Sequence, residues 1–265
     1  MSESSWAKRL ENKITTNELV EFWNTTVDYS SAPYYSTEDS NIRKVCNCNA
    51  ANYENLLTMN PDSKEMHLSL LPAPYCGDLE NAKIYILSLN PGFAVTDYYE
   101  EEKCEKYRSE IIRNIKQEKT QYMNYCFNPE FLWTGGARYW TNKFKQITKE
   151  LIEKEVHNNL FEVLQNLSNR IATLELIPYH SQKYNLPKKI EESLCSKKLI
   201  KKFVHDTLVP KAKKGETLII VARKAKEWGF GKSDNKNIII YGKEEAQSFS
   251  LSKKSKEEII DFLTK

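Results

Sequence analysis

Glycine and long apolar runs are both scarce in this chain of 265 residues. Only 8 of the 265 residues are glycine, which is well below the usual fraction of about 7% of residues. No apolar run approaches the roughly 20 residues that a membrane-spanning helix requires, which argues against a membrane protein. The hydrophobic fraction of 40% argues against a disordered chain. Because glycine is scarce, we expect each glycine that does occur to have a steric reason.

Metal-ligand and phosphate-binding motifs are also absent. The six cysteines are scattered, and Cys46 and Cys48 form C-x-C instead of the C-x2-C of a zinc site. Neither G-x-G-x-x-G nor G-x-x-x-x-G-K-[ST] occurs, which disfavours dinucleotide dehydrogenases and P-loop enzymes. The amino terminus shows neither a secretory nor a transit pattern. We therefore expect reduced thiols, no metal, no cofactor and a cytoplasmic location.

Charge is distributed unevenly along the chain although the net charge is only +3. Residues 183–265 contain 20 Lys and Arg against 11 Asp and Glu, whereas residues 1–182 contain 19 against 25. This asymmetry suggests that the carboxy-terminal third contacts a polyanion. The alternative is that these lysines simply lie on solvent-exposed helix faces, which explains the same charge counts without a polyanion.

Alternating apolar runs and amphipathic stretches predict the fold class. Buried parallel strands are predicted at 83–89, 172–177, 217–222 and 237–242. Helices are predicted at 5–27, 99–118, 138–167 in one or two pieces, 189–208 and 253–264. Strands alternating with helices indicate an α/β fold, here a four-stranded parallel sheet sandwiched between helices. We expect residues 71–265 to form this domain, residues 1–70 to be a helical and loop extension packed on it, and the protein to be a monomer.

Ligands of parallel α/β sheets bind where the strands end, and the first predicted strand ends in Asn-Pro-Gly. The stretch from residue 72 to 93, PAPYCGDLENAKIYILSLNPGF, resembles the first motif of the uracil-DNA glycosylase superfamily. The mismatch-specific and thymine branches carry G-x-N-P-G, and the chain has Ser88 in place of the leading glycine. The resemblance implies that Asn90 holds the attacking water and that Phe93 stacks on the flipped base. Asn-Pro-Gly is also ordinary turn chemistry.

The residues beside Asn90 bear on the substrate. The predicted substrate-binding segment contains Leu89, Pro91, Gly92 and Phe93. In strict uracil enzymes a tyrosine occupies the position of Gly92 and blocks substituents on base carbon 5, so glycine predicts a 5-substituted pyrimidine. Glu175 is the nearest match to the residue that contacts the base edge, and a carboxylate accepts from the exocyclic amine of cytosine. A solvent-facing or lysine-paired Glu175 is the alternative.

Two catalytic candidates lie elsewhere in the chain. His180 follows the second predicted strand, where it could protonate the departing base, or it could be structural. The segment QSFSLS at 247–252 can be laid on the superfamily's second motif, H-P-S-P-L-S, with Gln247 replacing the histidine. The resemblance implies that Gln247 donates to base O2 and that Leu251 fills the gap left by the flipped nucleotide.

The remaining predicted site residues are DNA contacts. Phosphate contacts are predicted for Ser248, Ser250, Ser252 and Lys253 at a helix start, although such a segment is equally a capping signal. Arg138, before a helix, and Arg223, directly after the third predicted strand, are further candidates, and both also fit solvated turns.

The sequence therefore predicts a monofunctional DNA base glycosylase. It would flip out a modified pyrimidine of double-stranded DNA, with a hydroxymethylated or glucosylated cytosine of phage DNA as the favoured base, and leave an abasic site. A mismatch uracil or thymine glycosylase is one alternative. A non-catalytic nucleic-acid or nucleotide-binding module of the same fold is another.

Overall fold

A five-stranded β-sheet among helices is the framework of the protein in the computed structural model. The structure describes residues 5–46, 65–154, 156, 158–232, 235–242, 245–246 and 251–264. The strands are β1 Tyr75–Cys76, β2 Ile84–Ser88, β3 Ile171–Glu175, β4 Leu218–Val221 and β5 Ile238–Ile240. Their order in the sheet is β1-β3-β2-β4-β5. The predicted α/β class is confirmed.

The strand pairing corrects the predicted four-stranded, wholly parallel sheet. β2 pairs in parallel with β4, with Ile84 opposite Leu218, and β4 pairs in parallel with β5. β1 adds a fifth, antiparallel strand at the edge, with Tyr75 opposite Leu174. Two residues are too few to produce a recognisable hydrophobic period, which is why the sequence did not predict this strand.

The four predicted strands are shorter than the apolar runs that predicted them. β3, for example, ends at Glu175, although the run continues through Leu176 and Ile177. These two side chains, like Leu89 after β2, are buried outside the ladder. A run of apolar residues shows where the chain is buried and not where its backbone pairs with another strand. The length of the run therefore overestimates the length of the strand.

Eleven helices are assigned among the described residues. They are α1 Ser5–Arg9, α2 Thr16–Thr26, α3 Val95–Lys103, α4 Glu105–Ile115, α5 Gly135–Glu153, α6 Leu160–Arg170, α7 Lys188–Ser193, α8 Cys195–Phe203, α9 Val209–Lys213, α10 Ala225–Trp228 and α11 Lys253–Thr264. Short 3-10 helices occupy Thr37–Lys44, Tyr125–Phe127 and Pro129–Phe131, and a π-helical turn occupies Val204–Leu208. None of these helices is long and apolar enough to cross a membrane.

Three stretches that were predicted as single helices are interrupted, whereas 138–167, predicted as one or two helices, forms α5 and α6. The predicted helix 5–27 is two helices, because Thr15 and Glu18 form a capping box that starts α2. The predicted helix 99–118 breaks at Cys104, and 189–208 breaks at Leu194. Caps and extended residues end helices without disturbing the apolar period, so periodicity alone merged these pairs. The predicted helix 253–264 is confirmed.

Two compact units divide the chain, each assembled from three segments. The first contains Met1–Pro74, Leu89–Lys116 and Glu175–Thr207, and the second contains Tyr75–Ser88, Gln117–Leu174 and Leu208–Lys265. The Asn-Pro-Gly segment and the residues after β3 therefore belong to the first unit. The described candidates for DNA contact belong to the second.

Candidate active site

The Asn90 loop, residues 89–93, is paired with the segment that follows β3. The main-chain N–H of Ile177 donates to the Leu89 carbonyl at 2.8 Å, and that of Ser181 donates to the Pro91 carbonyl at 3.2 Å. Leu89 and Ser181 are both buried. The first unit thus brings together two of the three segments that the sequence predicted to carry the chemistry.

The side-chain amide of Asn90 is held by three acceptors. Its Nδ2 donates to the Pro91 carbonyl at 3.0 Å, to the Tyr179 carbonyl at 3.3 Å and to Ser181 Oγ at 2.9 Å. Carbonyl oxygens only accept, so the nitrogen must face them and the oxygen Oδ1 must point the opposite way. In the part of the chain that the structure describes, no hydrogen bond reaches Oδ1. The Asn90 loop thus presents a fixed amide oxygen as an acceptor.

Both ring nitrogens of His180 contact main-chain carbonyls. Nδ1 lies 2.9 Å from the Gly92 oxygen and Nε2 lies 3.1 Å from the Leu71 oxygen. Burial lowers the pKa of His180, and the two carbonyl contacts partly offset that effect. A neutral ring carries one N–H, so it can donate to only one of the two oxygens. Transfer of a proton from His180 to a base requires one of these contacts to open.

The Phe93 ring is stacked on a histidine that the sequence did not single out. The rings of His67 and Phe93 lie 3.7 Å apart at 14°, and Tyr98 meets Phe93 edge-on at 5.7 Å. His67 Nδ1 lies 3.0 Å from the Tyr98 hydroxyl oxygen. Burial, and secondarily repulsion from His180, lower the pKa of His67 to about 4. One face of Phe93 is therefore covered by a neutral imidazole, and a base would stack on the opposite face.

The backbone does not require glycine at position 92. Gly92 is exposed, its φ lies outside the left-handed region, and an added Cβ would meet nothing within 4 Å. Gly77 differs, because its φ is +120° and a Cβ there would lie 2.4 Å from the Ile171 oxygen. The expected steric reason for glycine is thus found at Gly77. At Gly92 the space beside the backbone is open.

Glu175 lies where β3 joins the 175–181 segment. Its main-chain N–H donates to the Pro74 carbonyl at 2.9 Å. The side chain is half-buried, and its Oε2 is inaccessible to solvent. The alternative of a solvent-facing Glu175 is therefore not supported by its position.

A buried carboxyl on α3 is linked to His180 through the main chain of one residue, Leu71. Glu101 Oε2 accepts the Leu71 N–H at 2.9 Å, while the Leu71 oxygen contacts His180. Burial raises the pKa of Glu101 to about 8, and Arg108, 3.9 Å away, opposes this shift. In the sequence, Glu101 belongs to a run of three glutamates that resembles a solvated helix face, so nothing indicated its burial. Nothing in the sequence singled out Ser181 as a residue of the site.

The described DNA-contact candidates differ in exposure. Arg138 is exposed on α5, and Arg223 is half-buried with its main-chain N–H donating to the Leu87 carbonyl at 3.3 Å. Lys253 is highly exposed, with Glu257 4.0 Å away. Leu251 is 5% exposed, so it can fill a gap in DNA only if its segment opens.

Ser252 performs the capping role that its segment equally predicted. Its Oγ accepts the main-chain N–H of Ser255 at 3.2 Å and lies 2.9 Å from the Ser255 hydroxyl. Gln247, Ser248 and Ser250 lie outside the described residues. Their predicted roles stay predictions.

Comparison with known proteins adds no relative to this picture. No family model, no curated protein and no solved structure matches the chain. Within the described ranges, no three His, Cys, Asp or Glu side chains are grouped to hold a metal ion. The chemistry available to the site is therefore read from the Asn90 loop and the segments bonded to it.

Proposed function

We propose that the protein is a monofunctional DNA base glycosylase that flips out a modified pyrimidine, excises it and leaves an abasic site. The observation that carries the proposal is the orientation of Asn90. Three acceptors hold its Nδ2, so its Oδ1 is presented on the other side as a fixed acceptor. A group oriented before substrate binds needs no reorganisation during the reaction.

In the proposed reaction Asn90 Oδ1 accepts a hydrogen bond from a water molecule and directs its oxygen at C1′ of the flipped nucleotide. The bond between C1′ and the base nitrogen breaks with its electron pair leaving on the base, and the sugar becomes oxocarbenium-like. The water oxygen then bonds to C1′ and loses a proton, and the base leaves with a proton in place of the sugar. Phe93 stacks on the base through the face opposite His67.

The proposed substrate is a 5-substituted cytosine, such as the hydroxymethylated or glucosylated cytosine of phage DNA. Two features support it. The space beside Gly92 is open, which suits a substituent on carbon 5. The Glu175 carboxylate would accept from the cytosine amine, whereas it would repel the carbonyl of uracil or thymine. The proposed partner is double-stranded DNA, met by a monomer in the cytoplasm.

The first test is release of free base from duplexes that carry glucosylated hydroxymethylcytosine, unmodified cytosine, uracil or a thymine mismatch. We expect release from the glucosylated duplex. Release of uracil or thymine alone would instead identify a mismatch glycosylase. Binding without release from any duplex would identify a non-catalytic module and overturn the proposed activity.

The second test replaces Asn90. Asn90→Ala should reduce turnover about a hundredfold or more, the effect of removing a group that acts in the transition state, while DNA binding is retained. Asn185→Ala, at an exposed asparagine of the same unit, is the matched control and should keep full turnover. Equal turnover of the two variants would remove Asn90 from the mechanism.

A further inference from the structure

Helix α5 in the second unit has two sharply different faces. One face packs into the protein and consists of Ala137, Trp140, Phe144, Ile147 and Leu151. The opposite face carries Arg138, Asn142, Lys145 and Lys149, which follow one another at helical spacing and are all exposed. We call these four residues the α5 stripe.

The positive charge of the α5 stripe is largely uncompensated. Between Gly135 and Lys149 the helix contains no acidic residue. In the described part of the chain no ion pair involves Arg138 or Lys145. Lys149 lies 3.4 Å from Glu153, but both side chains are well exposed, and such pairs are worth less than about 1 kcal/mol. The stripe is therefore open to an external anion.

A second helix of the same unit adds another cation beside the stripe. The ammonium of Lys256, on α11, donates to the side-chain oxygen of Gln146 on α5. Gln146 is exposed and directly follows Lys145 in the chain. The cationic surface is thus built by two packed helices and is not a feature of α5 alone.

The spacing of these charges indicates the kind of anion. Arg138 and Lys149 are 11 residues apart, about 16 Å along the helix axis, which matches roughly five nucleotide steps of one DNA strand. Protein partners are usually anchored by buried aromatic or aliphatic side chains at the centre of an interface, and the stripe has none. A regular row of phosphates needs only cations and hydrogen-bond donors.

We propose that the α5 stripe binds the phosphate backbone of DNA. The choice of DNA as the polyanion rests on the proposed glycosylase function. That the stripe binds an anion is argued from the exposure and charge of α5 alone. Because backbone contacts carry no sequence information, it would bind modified and unmodified duplexes equally and would position them without selecting the base.

The test measures binding of a short fluorescein-labelled duplex of mixed sequence by anisotropy over a range of salt concentrations. The variant Arg138→Glu with Lys145→Glu should weaken binding at least tenfold at about 0.1 M salt, because each lost phosphate contact lowers the salt slope by about 0.9. The slope should therefore fall by about 1.8. Lys189→Glu with Lys198→Glu, at exposed positions of α7 and α8, changes the net charge equally and should leave both values nearly unchanged.

Three results would overturn the proposal. They are no binding of the duplex by the unaltered protein, no loss in the α5 variant, and an equal loss in both double variants. Circular dichroism checks folding, and Arg138→Gln with Lys145→Gln, which preserves helix propensity, replaces the first variant if it fails to fold. Base release is measured separately on the same DNA. Stripe-dependent binding without any release would refute the glycosylase activity and leave the α5 stripe standing.

Discussion

The Asn90 loop and the α5 stripe are both polar regions, but they are constructed in opposite ways. In the Asn90 loop the side-chain nitrogen of Asn90 is turned inward and donates to fixed acceptors of its own unit. In the stripe the polar atoms are turned outward on long side chains. Bond cleavage requires one orientation of one group, whereas a charged side chain can attract a phosphate in many orientations.

This difference has an energetic consequence. Removing one partner of a buried hydrogen bond leaves the other unsatisfied and costs about 1–3 kcal/mol. Exposed substitutions away from such bonds usually change stability by less than about 0.5 kcal/mol. Changes that remove a partner of the hydrogen bonds made by Asn90 should therefore appear in the free energy of unfolding, and changes in the stripe should appear only in binding.

The largest expected effect is acid destabilisation through His67. Its pKa is lowered from 6.5 to about 4 by burial and by His180, so between these pH values the unfolded chain binds more protons. The contribution of His67 to the free energy of unfolding should therefore be complete above pH 6.5 and should decrease by about 3 kcal/mol as the pH drops to 4. Urea unfolding at successive pH values measures this.

His67→Phe should remove this contribution from the pH profile, because the phenyl ring keeps the stacking on Phe93 but does not titrate. His205→Gln, at an exposed histidine, is the control and should leave the profile unchanged. A profile that is equally steep in the His67 variant would show that another group governs the acid response.

The next largest effect is expected for Asn90→Asp. A carboxylate oxygen would replace the amide nitrogen that faces the Pro91 and Tyr179 carbonyls, so unfolding at pH 7 should require about 2 kcal/mol less free energy. Repulsion by the carbonyls raises the pKa of the new carboxyl in the folded state. The deficit relative to the unaltered protein should therefore shrink as the pH falls and the carboxyl gains a proton. A constant deficit across pH would contradict the inward orientation of the Asn90 amide.

A smaller effect is expected for Ser181→Ala. The Asn90 amide would lose the acceptor Ser181 Oγ but keep two carbonyls, which lowers stability by about 1 kcal/mol. Since Ser181 would act through Asn90, kcat for base release should fall while KM is unchanged. Ser30→Ala, at an exposed serine, is the control. A rise in KM with unchanged kcat would show that Ser181 affects binding instead.

The smallest effects should come from Gly92→Ala and Lys145→Gln. Nothing lies within 4 Å of a Cβ at position 92, and Lys145 is exposed, so both variants should unfold within about 0.5 kcal/mol of the unaltered protein. Thermal unfolding measures this. A clear loss in Gly92→Ala would mean that the space beside the loop is filled, which would weaken the argument for a 5-substituted base.

Part of the architecture could be predicted from the sequence because burial repeats with the period of the local structure. Trp140, Phe144 and Ile147 mark the packed face of α5, and the apolar run at 83–89 marks β2. The predicted sheet lacked β1, and its strands were too long, because apolar residues are also buried in loops. Helix breaks at Cys104 and Leu194 left no mark on the apolar period.

The candidate site also contains residues that could be predicted from the sequence and residues that could not. A motif of neighbouring residues singled out Asn90, Gly92 and Phe93. It could not indicate that Ser181 would hold Asn90 or that His67 would stack on Phe93, because these pairs lie far apart in the chain. The sequence also predicted that the basic carboxy-terminal third contacts a polyanion. It did not indicate that two of these lysines, Lys197 and Lys202 on α8, form ion pairs with acidic neighbours.

The sequence by itself determined the α/β class, the loop that follows β2 and the apolar face of α5, because each depends on residues close together in the chain. Only the tertiary structure decided which way the Asn90 amide points, that His67 covers one face of Phe93 and that Glu101 is buried. Those outcomes depend on acceptors and rings supplied by distant segments, and hydrogen bonds and stacking act only over a few ångströms.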